Sequence, residues 1–494
     1  MTYCLKDISP AFEQRVDDIR SYIREETLYK DYLGSVLDGL QGELEYIDVA
    51  LNALLETQRL LMIHDTGLHM DEEFLEFYRS YDVKSWHKQN SPPVDRELIL
   101  SLANKVYNMQ SGQNDYGMLH IGENVRSVVE VVFKRLVDEK EHFDVIFADS
   151  FFKAHLLNRI DKDAIQKIAE RTSKCWEPVT KRMVIVPGLP QEDIPEIKDS
   201  KDHYLQSLLK PVHDRIMSGE IHYTLTCIPT PRDAEFDNIP YEDYLQLFFE
   251  MCDQPWEYID KAHKHLIKKL NKGRELRFTN NDGTDLTLSI DGMTFANSLI
   301  ARNVPGSEVF SAPIRDSANG KIVAKGVFTP AGRLKGERIE DMELTFKDGK
   351  CVEYKARIGE EILKDALETD DGSKYLGEVA IGTNPHLKRP VANIALVEKI
   401  GGSFHVAFGN AYTATDYMGE PVAFDNSNRS LLHWDITTML YGKEGKIYLD
   451  GDLIMDHGLF LDEELEILNK GWEMIPPAKR PAYWREDDFE KRKY

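Results

Sequence analysis

Apolar residues recur in steps of three and four at Leu37, Leu40, Leu44, Ile47, Leu51, Leu54 and Leu55, the spacing of a helix with one buried face. The pattern predicts packing, not chemistry. Residues 1–93 read as a helical N-terminal extension that opens at Ser9-Pro10, with a cap and a proline in the first turn. The pair His64-Asp65 follows the periodic run in isolation and reads as structural. Gln89-Asn90-Ser91-Pro92-Pro93 breaks any helix and reads as a linker. Over 94–273, β-type runs (143–149, 183–188 and 221–229) alternate with amphipathic ones, which predicts an α/β layered domain with partly parallel strands. A helical segment from Tyr241 to Leu270 closes it. From 274 to 494 the texture shifts to strands punctuated by Gly, Asn and Asp (274–292, 342–356 and 445–454), the last with an Asp-Gly turn. A domain rich in antiparallel sheet is expected there, giving a chain of mixed α/β and α+β class.

Length and composition support this division. A chain of 494 residues exceeds one ordinary core, and 42% hydrophobic with 30% charged residues is a folded balance. The 61 Lys and Arg against 85 Asp and Glu give a net charge of −24. That field repels phosphate backbones and anionic membranes, so neither nucleic acid nor membrane is expected as a partner. It tolerates cations, including metal ions and a protonated peptide amino terminus. The cysteines are scattered, with no disulfide or zinc-ribbon spacing. No stretch has signal-peptide character or transmembrane length, so a cytoplasmic location is expected. A GxGxxG turn and a P-loop are both missing, so nucleotide binding has no support.

The candidate chemistry lies in the last domain. Leu431-Leu432-His433-Trp434-Asp435-Ile436 reads as a strand, and side chains two apart on a strand share a face, so His433 and Asp435 project together. Phe404-His405-Val406-Ala407-Phe408-Gly409 is apolar except for His405, and Leu376-Gly377-Glu378-Val379-Ala380 holds one carboxylate in an apolar run. Glu308 sits similarly after Pro305-Gly306-Ser307. A buried unpaired carboxylate costs several kcal/mol, roughly, and so calls for a cation or a hydrogen-bond network. Three carboxylates and two histidines in such settings suit a catalytic metal cluster rich in oxygen donors, filled by Zn, Co, Mn or Mg. The number of acids fits two divalent metal ions sharing a carboxylate better than one.

Asn303-x-Pro305-x-x-Glu308-Val309-x-x-Ala312-Pro313, Leu376-Gly377-Glu378-Val379-Ala380, His405-x-Ala407-x-Gly409-x-Ala411-Tyr412, His433-x-Asp435 and Asp450-Gly451 occur in that order. Together with Gly283-Thr284-Asp285-Leu286 they make the chain resemble the thermophilic metalloaminopeptidases. The resemblance implies a dinuclear centre with Glu308, Glu378, His405, His433 and Asp435 as metal ligands and Tyr412 as a catalytic side chain. It also implies Glu398 as a sixth ligand, two residues further from His405 than the family pattern has it. The implied reaction removes N-terminal residues from peptides through a metal-bridged water, with Glu308 or Glu378 as general base and a homodimer as the assembly. A two-metal phosphoesterase and a non-catalytic peptide-binding protein of the same fold are the alternatives. His386 reads as a pocket residue or an exposed loop histidine.

Overall fold

The computed structural model describes residues 12–25, 46–68, 71–80, 94–108, 116–122 and 125–485, apart from 190–193, 300–301, 331–333, 335 and 394. The expected cap at Ser9-Pro10, the apolar positions Leu37, Leu40 and Leu44, and the linker at 89–93 lie outside these residues. Helices span Phe12–Glu25, Ile47–Thr66 and Glu72–Ser80. The second buries Leu51, Leu54 and Leu55 as the periodicity predicts, and it ends at Gly67 in the left-handed conformation that costs a glycine nothing. These helices have no core of their own. Leu54 and Leu60 belong to one apolar cluster with Phe133, Phe152 and Ile165 of the following layer.

That layer is built on a parallel sheet of β1 (Gly117–Ile121), β2 (Phe143–Phe147), β3 (Lys181–Pro187) and β4 (His222–Ile228), in the order β2-β1-β3-β4. Parallel neighbours need crossover connections, and helices such as Arg126–Asp138 and Lys162–Trp176 supply them. The segment expected as one helix from Tyr241 to Leu270 is two, Tyr241–Cys252 and Trp256–Leu270. Pro255 explains the break, because it lacks an amide donor and disfavours helical geometry in the residue before it.

Beyond residue 274 two antiparallel sheets face each other. The larger comprises β5 (Glu275–Thr279), β6 (Asp285–Ser289), β9 (Asn319–Phe328), β10 (Ile339–Lys347), β11 (Lys350–Ile358), β17 (Lys446–Leu449), β18 (Asp452–Asp456) and β19 (Leu459–Phe460), in the order β11-β10-β9-β6-β5-β17-β18-β19. Asp450-Gly451 joins β17 to β18 with both residues at positive φ, the geometry for which an Asp-Gly pair is suited. The smaller sheet comprises β7 (Ala296–Ser298), β8 (Glu308–Ser311), β12 (Leu376–Gly382), β13 (Ser403–Gly409) and β16 (His433–Met439), in the order β16-β13-β12-β8-β7. A two-residue ladder, β14 (Asp416–Tyr417) with β15 (Glu420–Pro421), stands beside it. Val309, Val379, Ile381, Phe404, Val406, Phe408 and Ile436 fill the interior between the two sheets. Phe404 stacks on Phe278 of β5, ring centroids 4.1 Å apart.

Candidate metal centre

The other face of the five-stranded sheet carries the candidate ligands. Residues directly opposite in a ladder share a face. Register pairs Glu308 with Gly382, Glu378 with Ala407, Ala407 with Asp435, Ala380 with His405 and Gly409 with His433. All five ligand candidates therefore lie on one face, while their sequence neighbours Val309, Val379, Val406 and Trp434 point into the apolar interior. Each candidate stands across from a glycine or alanine. A larger residue there would fill the space into which the polar heads converge. A register irregularity between Leu376 and Glu378 marks a bulge on β12, a device that re-aims a side chain. Glu308 is set by the segment before it. Leu225 of β4 donates its amide to Arg302 O (2.6 Å), and Val304 donates to Leu225 O (2.8 Å), which ties the parallel sheet to the start of β8.

Two sets of donor atoms cluster within 4.8 Å: Glu308, Glu378 and His405 in one, Glu378, His433 and Asp435 in the other. Glu378 belongs to both. Its Oε1 is 3.6 Å from His405 Nε2 and its Oε2 is 3.4 Å from His433 Nε2. His405 Nε2 lies 3.5 Å from Glu308 Oε2 and 3.8 Å from Asp435 Oδ1, and His433 Nε2 lies 3.9 Å from Asp435 Oδ2. These separations are too long for hydrogen bonds. Tetrahedral ligands about 2.0–2.2 Å from a metal stand roughly 3.3–3.6 Å apart, so the spacing fits a donor set around a cation. Orphaned atoms support the same fit. Glu308 Oε2, both ring nitrogens of His405 and Asp435 Oδ1 are buried with no hydrogen-bond partner among the described residues. His433 has its Nδ1 2.8 Å from Asn410 O, so Nδ1–H donates there and the lone pair of Nε2 is left available to a cation.

The field in the cluster is strong. Burial raises Glu378, but His405 and His433 outweigh it and hold the carboxyl down at about 2. Burial and Glu398 push Asp435 up to about 7. Burial lowers both histidines, yet the surrounding carboxylates carry His405 up to about 9 and His433 up to about 10. Crowded carboxylates are here drawing positive charge to themselves, and a divalent cation answers the same demand by displacing imidazolium protons.

Glu398 stands apart from both donor sets. It lies in the turn Val397–Lys399, and its Oε2 is 2.5 Å from Lys399 Nζ. That ammonium also lies 2.5 Å from Glu308 Oε1 and is completely buried. Lys399 carries no role in the sequence reading, although a lysine between Leu396-Val397 and Ile400 is a visible signal, since burial there demands a counter-charge. Tyr412 flanks the centre, its ring 5.4 Å from that of His433. Burial and the nearby Glu378 raise its hydroxyl well above the ordinary value, so it stays protonated. A cavity of about 120 Å³ opens onto His433, Asp435 and Glu398, with walls that include Leu225, Cys227, Val327, Phe328 and Ala392.

A second buried chain missed by the sequence reading supports Glu308. Ser307 Oγ and His263 Nε2 each lie 2.8 Å from Thr383 Oγ1, linking the helix Trp256–Leu270 to the ligand strand. His386 does not line the cavity beside the centre, and it is not exposed. It is buried against Glu250, Nε2 to Oε2 2.7 Å, with Trp484 edge-on to its ring. His64 pairs with Asp65, which also accepts from Arg171, and this is the structural role expected of it.

The description "thermophilic metalloprotease (M29)" belongs to a family model that matches residues 102–458. Aminopeptidase T of Thermus aquaticus is 26% identical over 369 residues, covering 64% of this chain and 89% of that protein. Aminopeptidase AmpS of Bacillus subtilis is 31% identical over 170 residues, 31% of this chain and 40% of that protein. Among solved structures, wild-type AmpT from Thermus thermophilus aligns with 74% of this chain and 100% of its own, at TM-score 0.59 and 22% identity, which is a likeness of fold.

Proposed function

Because the chain belongs to the thermophilic metalloprotease family M29, we propose that it is a metal-dependent aminopeptidase whose centre holds two divalent cations that share Glu378. Glu308, Glu378 and His405 would hold one, and Glu378, His433 and Asp435 the other. The observation that carries this reading is the pair of donor sets joined at one carboxylate, with orphaned donors directed into it. When bound, two such ions supply Lewis acidity and an activated water nucleophile at neutral pH.

The chain's own residues supply the rest. A carboxylate within hydrogen-bond reach of both the attacking water and the leaving amine passes the proton between them. Of the two expected in this role, Glu378 has an oxygen directed to each donor set, which leaves Glu308 as the one with an oxygen, Oε1, outside them. Tyr412, kept protonated, donates its hydroxyl to the oxyanion that develops on the scissile carbonyl. The apolar walls around Leu225, Val327 and Phe328 exclude water and receive one uncharged side chain. Glu398, which reaches the same cavity outside both donor sets, offers a carboxylate to the substrate's α-ammonium group. The described residues lining the cavity include no Arg or Lys, so a phosphate ester would find no protein cation there beyond the metals themselves.

No helix among the described residues is long and apolar enough to cross a membrane. A cytoplasmic location and a homodimer complete the proposal, the first resting on scattered cysteines with no disulfide framework and the second on the sequence resemblance.

The test compares an unblocked peptide, its N-acetylated copy and a phosphate ester, each before and after chelation. Release of free amino acids from the unblocked peptide alone, lost on chelation and restored by Zn²⁺ or Co²⁺, is expected. Equal cleavage of the acetylated peptide would count against an aminopeptidase. Activity that survives thorough chelation would remove the metals from the reaction.

A further inference from the structure

Lys399 is the charged group of the centre that the proposed chemistry does not use. Its side chain is completely buried, and its ammonium lies 2.5 Å from Glu308 Oε1 and 2.5 Å from Glu398 Oε2. The backbone holds it there, since Lys399 N donates to Leu396 O (3.0 Å) and Asn384 N donates to Lys399 O (2.9 Å). Two consequences follow for the ligands. Glu308 keeps only Oε2 free to face His405, and Glu398 is turned towards the ammonium, outside both donor sets. The two halves of the centre therefore differ in charge. The Glu308 half already contains a fixed unit cation, whereas Glu378, His433 and Asp435 have no Lys or Arg partner among the described residues.

We propose that Lys399 is an internal cation that makes the two metal positions unequal. The Glu378–His433–Asp435 position fills first and tightly. The Glu308–Glu378–His405 position fills second and weakly, with Glu398 kept out of the ligand set. The physical reason is repulsion: an ammonium and an incoming dication share one carboxylate in a site with little water to screen them. Occupancy of the second position, and with it activity, would then follow metal availability over a range in which the first position is already full. This rests on the two-cation reading above.

Full-length apoprotein is titrated with Co²⁺, followed by calorimetry and by visible absorption, for wild type, Lys399→Met and Lys399→Arg. The wild type should bind two equivalents whose affinities differ by roughly 100-fold or more. Lys399→Met, similar in shape but uncharged, should bind the second equivalent at least about 10-fold more tightly, because Glu398 is released and the repulsion is gone. Lys399→Arg should keep the wild-type inequality. Lys399→Met apoprotein should also melt at a lower temperature and gain more from saturating Co²⁺, since two buried carboxylates have lost their cation. Equal sites in the wild type, or a second site in Lys399→Met that is unchanged or weaker, would overturn the inference and leave the two-cation reading standing. One equivalent in all three proteins would overturn the two-cation reading itself. If Lys399→Met folds only with metal present, the wild-type isotherm and Lys399→Arg still decide.

Discussion

Glu378→Gln is the sharpest perturbation of the centre, because it keeps the shape of the side chain and removes only its charge and one oxygen. Glu378 presents one oxygen towards His405 and the other towards His433, at 3.6 and 3.4 Å. An amide can present one oxygen to one half, and its NH₂ must then face the other, where it cannot ligate. Glu378 is buried, and removing one partner of a buried charge pair costs about 3–5 kcal/mol. At about 1.4 kcal/mol per decade, that is a loss of roughly two to three and a half decades in affinity for the more weakly held ion. The fold should persist, since Val379 and Ile381 on the opposite face keep their packing between the sheets. The assay is metal content after dialysis against buffered metal, with circular dichroism as the control for folding. Two ions held at wild-type affinity in a folded Glu378→Gln protein would refute the shared-carboxylate geometry.

Three further outcomes are expected. Tyr412→Phe should lower kcat by about 10²–10³ through loss of an oxyanion donor while metal content stays at the wild-type level, and loss of metal instead would show that Tyr412 acts on the fold of the centre. Gly409→Ala should destabilise the protein by at least about 2 kcal/mol in denaturant titrations and loosen metal binding, because Gly409 has φ 94° and an added Cβ would stand 2.2 Å from Leu432 O, beside His433. A variant as stable as wild type would contradict that packing. Asp253 is held below its ordinary 3.8, against the effect of burial, by Lys105, Ser101 and Trp484. A carboxyl depressed in the folded state contributes fully above its ordinary value and loses that contribution as pH falls through the folded one. Acidification below about pH 4 should therefore loosen the contact between Trp484 and Asp253, read by tryptophan fluorescence, and Asp253→Asn should remove that part of the acid transition. An unchanged acid profile in the variant would refute it.

Much of this protein is local in origin and was legible without coordinates. The helical face of Leu51, Leu54 and Leu55, the strand-type runs at 143–149 and 221–229, and the Asp450-Gly451 turn follow from side-chain period and backbone preference, which act over a few residues. His433 and Asp435 share a face for the same reason. The break at Pro255 was equally local, and the continuous apolar pattern around it hid it.

Tertiary structure alone decided what these pieces make together. Register across four ladder pairs, which no local rule fixes, puts Glu308, Glu378, His405 and Asp435 on one face opposite Gly382, Ala380 and Ala407. The Lys399 contact to Glu308 spans 91 positions and that of His263 to Thr383 spans 120, so neither leaves a pattern along the chain. His386 became a buried partner of Glu250, 136 positions away. The sequence by itself determined which residue types were available to bind a cation. Long-range packing determined their distances, and with those distances which donors converge, which acid is diverted to a lysine and which histidine serves only the fold.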